Sequence, residues 1–257
     1  MRLFDNLFAV LKRNGDHVLV MKTREHEKET RLLRRPFDWA ELFDPALDSR
    51  LNRENPYVVE KLHNKAIAQQ IRNLFFKTMD QSKFEVTGIE LLKNIYTWRP
   101  FKLQSEMVLS QLGQKTFDDV VRLLFYASYK CDFRELAESK HGITMGLKVN
   151  GPIGRGVYYT EDASFAHENT SNCVDEDKEE RQVLLSVVLV GDSKQYEGKA
   201  RDLIKAPVRP GSNERFDSVN GMFRDSRVFV LFEERTALPG FIVTYKKRKL
   251  QEIEFYN

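Results

Sequence analysis

Between Asp217 and Lys246 the chain runs DSVNGMFRDSRVFVLFEERTALPGFIVTYK. Two short apolar runs within it, Val228 to Phe232 and Phe241 to Tyr245, are rich in β-branched and aromatic residues, and a charged segment closed by Pro239 separates them. Runs of this length and composition are strands, and a turn-rich loop between two of them predicts an antiparallel hairpin. A hairpin needs further strands to bury it. Residues 122–128 (RLLFYAS), 156–160 (GVYYT) and 183–190 (VLLSVVLV) supply them, with a short helix expected from Phe133 to Lys140. Five strands, few helices and short connections predict an α+β fold with antiparallel sheets rather than a doubly wound parallel one.

At 257 residues the chain has room for one large domain, or one domain plus a small extension. The formal net charge of +3 is spread through a chain in which Lys and Arg nearly balance Asp and Glu, so it does not mark a dedicated nucleic-acid surface. Cys131 and Cys173 are the only cysteines, too few for a disulfide framework or a Cys-x-x-Cys zinc site, which points to a reducing compartment. No apolar run reaches the roughly 18 residues that cross a bilayer. The opening MRLFDNLFAVLKRNGDHVLVMK carries Lys12, Arg13 and Asp16 where a signal peptide has an unbroken apolar centre. A cytoplasmic or nuclear protein with no membrane partner is expected.

In chain order, Asn14-Gly15 between two apolar runs predicts a hairpin. KTREHEKETRLLRR (22–35) has mixed signs and reads as a solvated face. Ile67, Ile71, Leu74 and Phe75 recur at helical spacing and read as core contacts. The pattern changes near Ser82, where FEVTGIELLKNIYTWRPFKLQSEMV begins, so the expected division is an N-terminal extension of unassigned role over 1–83 and a main domain over 84–257. The acidic run Asp175-Glu176-Asp177 with Glu179-Glu180 reads as a solvated loop, and His141 and His167 have no Cys or His partner at ligand spacing, so no metal is expected. Lys246-Lys247-Arg248-Lys249 reads as a solvated strand edge.

Four motifs then follow in order: Leu123-Leu124-Phe125-Tyr126-Ala127-Ser128 with Gly142-Ile143 behind it, Gly154-Arg155-Gly156-Val157-Tyr158-Tyr159, the strand of Gln182 to Asp192 ending in Gly-Asp, and Asp217-Ser218-Val219 with Arg227 to Phe232. Together with the Asn94-x-x-x-Trp98 segment they resemble the catalytic domain of the PARP-type ADP-ribosyltransferases over roughly residues 84 to 246. The resemblance implies cleavage of the nicotinamide bond of NAD+ and transfer of ADP-ribose. It also implies a site that grips the carboxamide, orients both riboses and stabilises positive charge at the breaking bond.

The same resemblance shows how far this chain departs. Tyr126 stands where the family has the ribose-binding His, and its larger ring is expected to protrude into the ribose subsite. Ala127 replaces a Gly that approaches the carboxamide, and Ser128 replaces a Thr. Tyr158 is retained as the residue lining the ring. Ala166 falls on the expected amide-binding Ser, with Ser164 two residues away as a substitute donor, and Asn169 falls on the stacking Tyr. Each lost hydrogen bond weakens binding by about 0.5–1.5 kcal/mol. Val228 is assigned to the position of the Glu that polymer-forming members carry on the last strand, and losing such a group costs about 10²–10⁴ in rate. The Tyr126, Tyr158, Val228 triad resembles that of a family member without transferase activity.

Two functions are therefore implied. One is a degenerate member that binds NAD+ poorly and serves as an interaction or regulatory module for a protein partner. The other is a mono-ADP-ribosyltransferase that uses NAD+ as substrate, without a metal, on a protein or nucleic-acid acceptor. An RNA partner rests only on mild basicity and family company.

Overall fold

The computed structural model describes residues 8–13, 16–21, 42–126, 133–144, 147–169 and 180–248. Strands β1 (Phe8–Arg13) and β2 (Asp16–Met21) pair antiparallel with Arg13 opposite Asp16, as the Asn14-Gly15 signal predicts. The other ten strands form one sheet. They are β3 (Tyr57–Lys61), β4 (Phe84–Asn94), β5 (Val121–Tyr126), β6 (Val149–Gly151), β7 (Gly154–Thr160), β8 (Glu180–Leu189), β9 (Ser193–Tyr196), β10 (Ser218–Phe223), β11 (Ser226–Leu231) and β12 (Ala237–Lys247). Their order is β3-β4-β12-β8-β5-β7-β11-β10-β9, with β6 against β7, and every pairing is antiparallel except β9 with β10.

The helices pack on this sheet: α1 (Lys65–Phe76), α2 (Ile95–Leu112), α3 (Phe117–Val120), α4 (Phe133–Glu138) and α5 (Ala163–Asn169). Asn64 starts α1 by accepting from the N–H groups of Ala66 and Ile67. Asn94 starts α2 by accepting from Tyr96, while its Nδ2 donates to the carbonyls of Ala137 and Ser139. The expected helices at Ile67–Phe75 and Phe133–Lys140 are present, and the mixed architecture is the α+β one that the strand pattern predicts.

The expected closing hairpin is not formed. β11 pairs with β7 and β10, β12 pairs with β4 and β8, and three strands lie between the two. Residues 232–236 cross from one part of the sheet to the other, held where Thr236 Oγ1 donates to Glu233 O and Leu189 N–H donates to Thr236 O. The true hairpin lies one element upstream. Phe223 pairs with Ser226 across Arg224 and Asp225, whose φ values of 48° and 62° make the left-handed two-residue turn that suits the sheet's twist.

Strand alternation divides the core. On β8, Val183, Leu185, Val187 and Leu189 face one cluster, while Leu184 and Val188 face the other. Residues 42–83 supply side chains to the first of these clusters: Phe43, Ile71, Phe75 and Met79 are buried with Phe241, Val243 and Tyr245. Phe43 fills the space above Gly240, with ring centroids 5.6 Å from Phe241 and 6.4 Å from Trp98. The bulge at Pro239-Gly240 is the local reason, because proline has no N–H for the ladder and the register with β8 shifts there.

Candidate active site

The sequence places its chemistry at the ends of β5, β7 and the closing strands. In the structure these strands lie together but their side chains divide between the two faces. Tyr126 ends β5, is 1% exposed, and pairs across the ladder with Tyr159, the ring centroids 5.5 Å apart. The two rings share a cluster with Phe133 and Leu136 of α4 and with Ile143. Burial pushes the Tyr159 phenol well above its ordinary pKa, and the neighbouring Tyr126 adds to the shift.

Tyr158 points to the opposite face. It lies in a third cluster with Val228, Val230, Val219 and Ile153. Its hydroxyl donates to Gly154 O at 2.8 Å and accepts from Ile153 N–H at 3.0 Å, closing the β6–β7 turn. Burial raises its pKa to about 12, opposed by the Ile153 N–H. The surrounding glycines are there for packing. A Cβ on Gly151 would sit 2.3 Å from the Tyr158 ring, and one on Gly156 would sit 2.4 Å from Val230 Cγ1.

Tyr126, Tyr158 and Val228 therefore do not line one groove. Val228 is 0% exposed, pairs with Thr160 on β7, and faces away from Tyr126. Its strand β11 is not the last of the sheet, because the break at residues 232–236 sends the chain on to β12. The register identifies what does share Tyr126's row. Phe125 pairs with Leu185, which sets Tyr126 beside Leu184, and Leu184 pairs with Ile242. Read across the strands, the row is Phe229, Tyr159, Tyr126, Leu184, Ile242 and Glu90.

Ile242 is the last-strand residue in that row. An isoleucine, like Val228, neither orients a hydroxyl nor accepts a proton. Glu90 is the row's carboxylate and stands one strand beyond Ile242, where the guanidinium of Arg134 on α4 pairs with it.

Ser164 sits half-buried on α5, its N–H donating to Thr78 Oγ1 at 3.2 Å, and Ala166 is buried in the first core cluster. Ala127, Ser128, both cysteines, the run 175–179, Lys249 and the side chain of Asn169 lie outside the described residues. On the same helix, His167 Nδ1 lies 2.8 Å from the Tyr245 hydroxyl. Desolvation and Arg181 push the His167 pKa down, Glu168 opposing and Lys247 assisting.

The Asp-Ser-Val motif also works as a tie. Asp217 Oδ2 accepts from Asp192 N–H at 2.7 Å and pairs with Arg209 at 3.0 Å, while Ser218 Oγ donates to Val190 O at 2.7 Å. Gly191, at φ 56°, leaves the room that Asp217 occupies. The described parts of these motifs thus lie on neighbouring strands, in the order β8, β5, β7, β11, β10.

Comparison with known proteins gives the same answer. Human protein mono-ADP-ribosyltransferase PARP12 is 25% identical over 178 residues, 69% of this chain and 24% of that protein. The chain carries a PARP-type ADP-ribosyltransferase domain. A Dictyostelium discoideum protein named as a probable poly [ADP-ribose] polymerase is 26% identical over 204 residues, covering 76% of the chain and 55% of its own length. Mouse protein mono-ADP-ribosyltransferase PARP10 is 24% identical over 183 residues, covering 69% of the chain and 18% of its own. The PARP-type chain spans about a quarter of the human relative and about half of the Dictyostelium one. No protein-family model matches it.

Proposed function

We propose that this PARP-like domain keeps the transferase scaffold, engages NAD+ weakly, and acts as an interaction or regulatory module. The observation that carries the reading is the row through Tyr126. A buried phenol packed on Tyr159 stands at the position that the resemblance gives to the ribose-binding His, and the buried Val228 stands at the one it gives to a carboxylate. Glu90 does not replace it, since its charge is already engaged by Arg134. For Tyr126 to reach a ribose its ring would have to leave Tyr159 and the cluster under α4, at the cost of that packing.

A second reading is an active mono-ADP-ribosyltransferase. The names of the relatives favour it, as does the retained Tyr158, which stiffens the turn that would sit against nicotinamide. Ala127 and Ser128 would then supply the carboxamide and ribose contacts, with Ser164 as the extra donor, and NAD+ would be the substrate.

Thermal melting in millimolar NAD+ separates the two, because a ligand that binds only the folded chain raises its melting temperature. No shift is expected. A rise of several degrees, abolished in Tyr158→Ala, overturns the weak-binding reading, and labelled NAD+ then reports whether transfer follows.

A further inference from the structure

Helix α2 has two apolar stripes. Trp98, Phe101 and Val108 are buried against the sheet. On the opposite side, Tyr96, Pro100, Leu103 and Met107 recur at i, i+4, i+7 and i+11, and Leu103 and Met107 are 59% and 49% exposed. A helix that is apolar on two sides normally buries both. The start of the second stripe forms one wall of a cleft of about 890 Å³, whose other wall is residues 44–53. That wall is pinned: Asp48 pairs with Lys93 of β4 at 3.0 Å and Arg50 pairs with Glu60 of β3 at 2.7 Å. Leu47, 67% exposed, lies beside the lining residues Pro45 and Ala46.

The cleft carries charge of one dominant sign. Arg53, Arg99 and Lys102 line it, and among the described residues none of the three is ion-paired. Lys140 adds a fourth cation, its Nζ 5.5 Å from the Tyr96 ring centre. The one carboxylate in the lining, Asp44, accepts from Ala46 N–H and starts the 3₁₀ turn of Pro45–Leu47. The apolar floor runs on past the cleft for a further two turns of helix, a length that suits a polypeptide better than a compact ligand.

We propose that this cleft and the outer stripe of α2 dock an acidic peptide segment of a partner protein, its aliphatic or aromatic side chains on Tyr96, Pro100, Leu103 and Met107 and its carboxylates on Arg53, Arg99 and Lys102. The mode is that of an amphipathic segment laid in a groove. The proposal does not rest on whether the domain transfers ADP-ribose, because α2 buries its inner stripe on the face of the sheet opposite Tyr126.

A display library of random peptides of about 12 residues, selected on the full chain and counter-selected on Arg99→Glu/Lys102→Glu, tests it. Enriched peptides are expected to combine Asp or Glu with Leu, Ile or Phe. They should bind about tenfold more weakly to Arg99→Glu/Lys102→Glu and to Leu103→Asp, and lose affinity as salt rises. Ile204→Asp, an exposed apolar residue elsewhere, should bind as the parent does. Unchanged melting temperatures check that the variants fold. No enrichment over the counter-selection overturns the proposal. So does displacement of the peptides by single-stranded RNA that binds the parent but not Arg99→Glu/Lys102→Glu, which assigns the cleft to nucleic acid.

Discussion

Tyr158 and Tyr159 are neighbours in the chain and belong to different halves of the molecule. Tyr158 turns to the face it shares with Val228, and both hydrogen-bonding capacities of its hydroxyl are used within the β6–β7 turn. Tyr159 turns to the other face and meets Tyr126, in a row whose next members are Leu184 and Ile242. One face thus uses the Gly-x-Gly-x-Tyr segment to build a turn, and the other carries an aliphatic and aromatic row. The scaffold depends on the Gly-x-Gly-x-Tyr segment whether or not catalysis survives.

The comparison breaks most readily at Tyr126. As a core residue, Tyr126→Ala should cost about 3–5 kcal/mol in denaturant unfolding. If the loss stays near zero, the ring belongs to an open subsite and the weak-binding reading loses its support. Tyr158→Phe keeps the ring but strands Ile153 N–H and Gly154 O, so the expected loss is smaller, about 1–3 kcal/mol. The same variant has a signature in pH. The Tyr158 pKa is raised in the folded chain to about 12, from about 10 when unfolded, so its contribution is complete below pH 10 and is lost as pH climbs towards 12. Melting curves of Tyr158→Phe should show a shallower alkaline decline over that window than those of the parent. An identical decline would mean that the hydroxyl is not held as described.

How much of this was legible in the sequence follows from which signals are local. The strands at 122–126, 156–160 and 183–189 and the helix of Ile67 to Phe75 announce themselves by composition and period, and the β1–β2 pairing by Asn14-Gly15. The β10–β11 turn did not, because Arg224 and Asp225 adopt positive φ without the glycine that normally signals it. Without that signal the runs of β11 and β12 read as partners of each other, whereas the register pairs β11 with β10 and β7 and β12 with β8 and β4. The division of Tyr126 from Tyr158 and Val228 was implicit in period-two alternation, but only once the strand order was known. Motif order carried the family; pairing order, which no local pattern encodes, decided which residues meet.

Ser186 tests the apolar character of the row from inside. It lies on β8 two residues from Leu184, on the same face, fully buried between Leu124 and Pro239, and its Oγ has no hydrogen-bond partner among the described residues. An unpaired hydroxyl in an apolar setting costs free energy, so Ser186→Ala should leave stability unchanged or raise it by about 1 kcal/mol. Destabilisation beyond that would mean that the hydroxyl is engaged and that this face is more polar than the row suggests.

The weakest effect belongs to the Tyr158 side, on α5. His167 is held neutral by burial and by Arg181, with Lys247 in the same sense and Glu168 opposing. A histidine whose folded pKa is depressed stabilises fully above its unfolded value near 6.5, and that stability is lost as pH falls through the folded pKa. His167→Gln should therefore flatten the acid limb of a stability profile below pH 6.5 and leave the alkaline limb, where Tyr158 acts, as it was. Because Tyr245 hydrogen-bonds His167 and sits on β12, the variant also asks whether this end of the sheet is coupled to the Tyr158 turn on the same face. A change in both limbs would show that it is, and that the contacts of α5 and of the β6–β7 turn are not energetically independent.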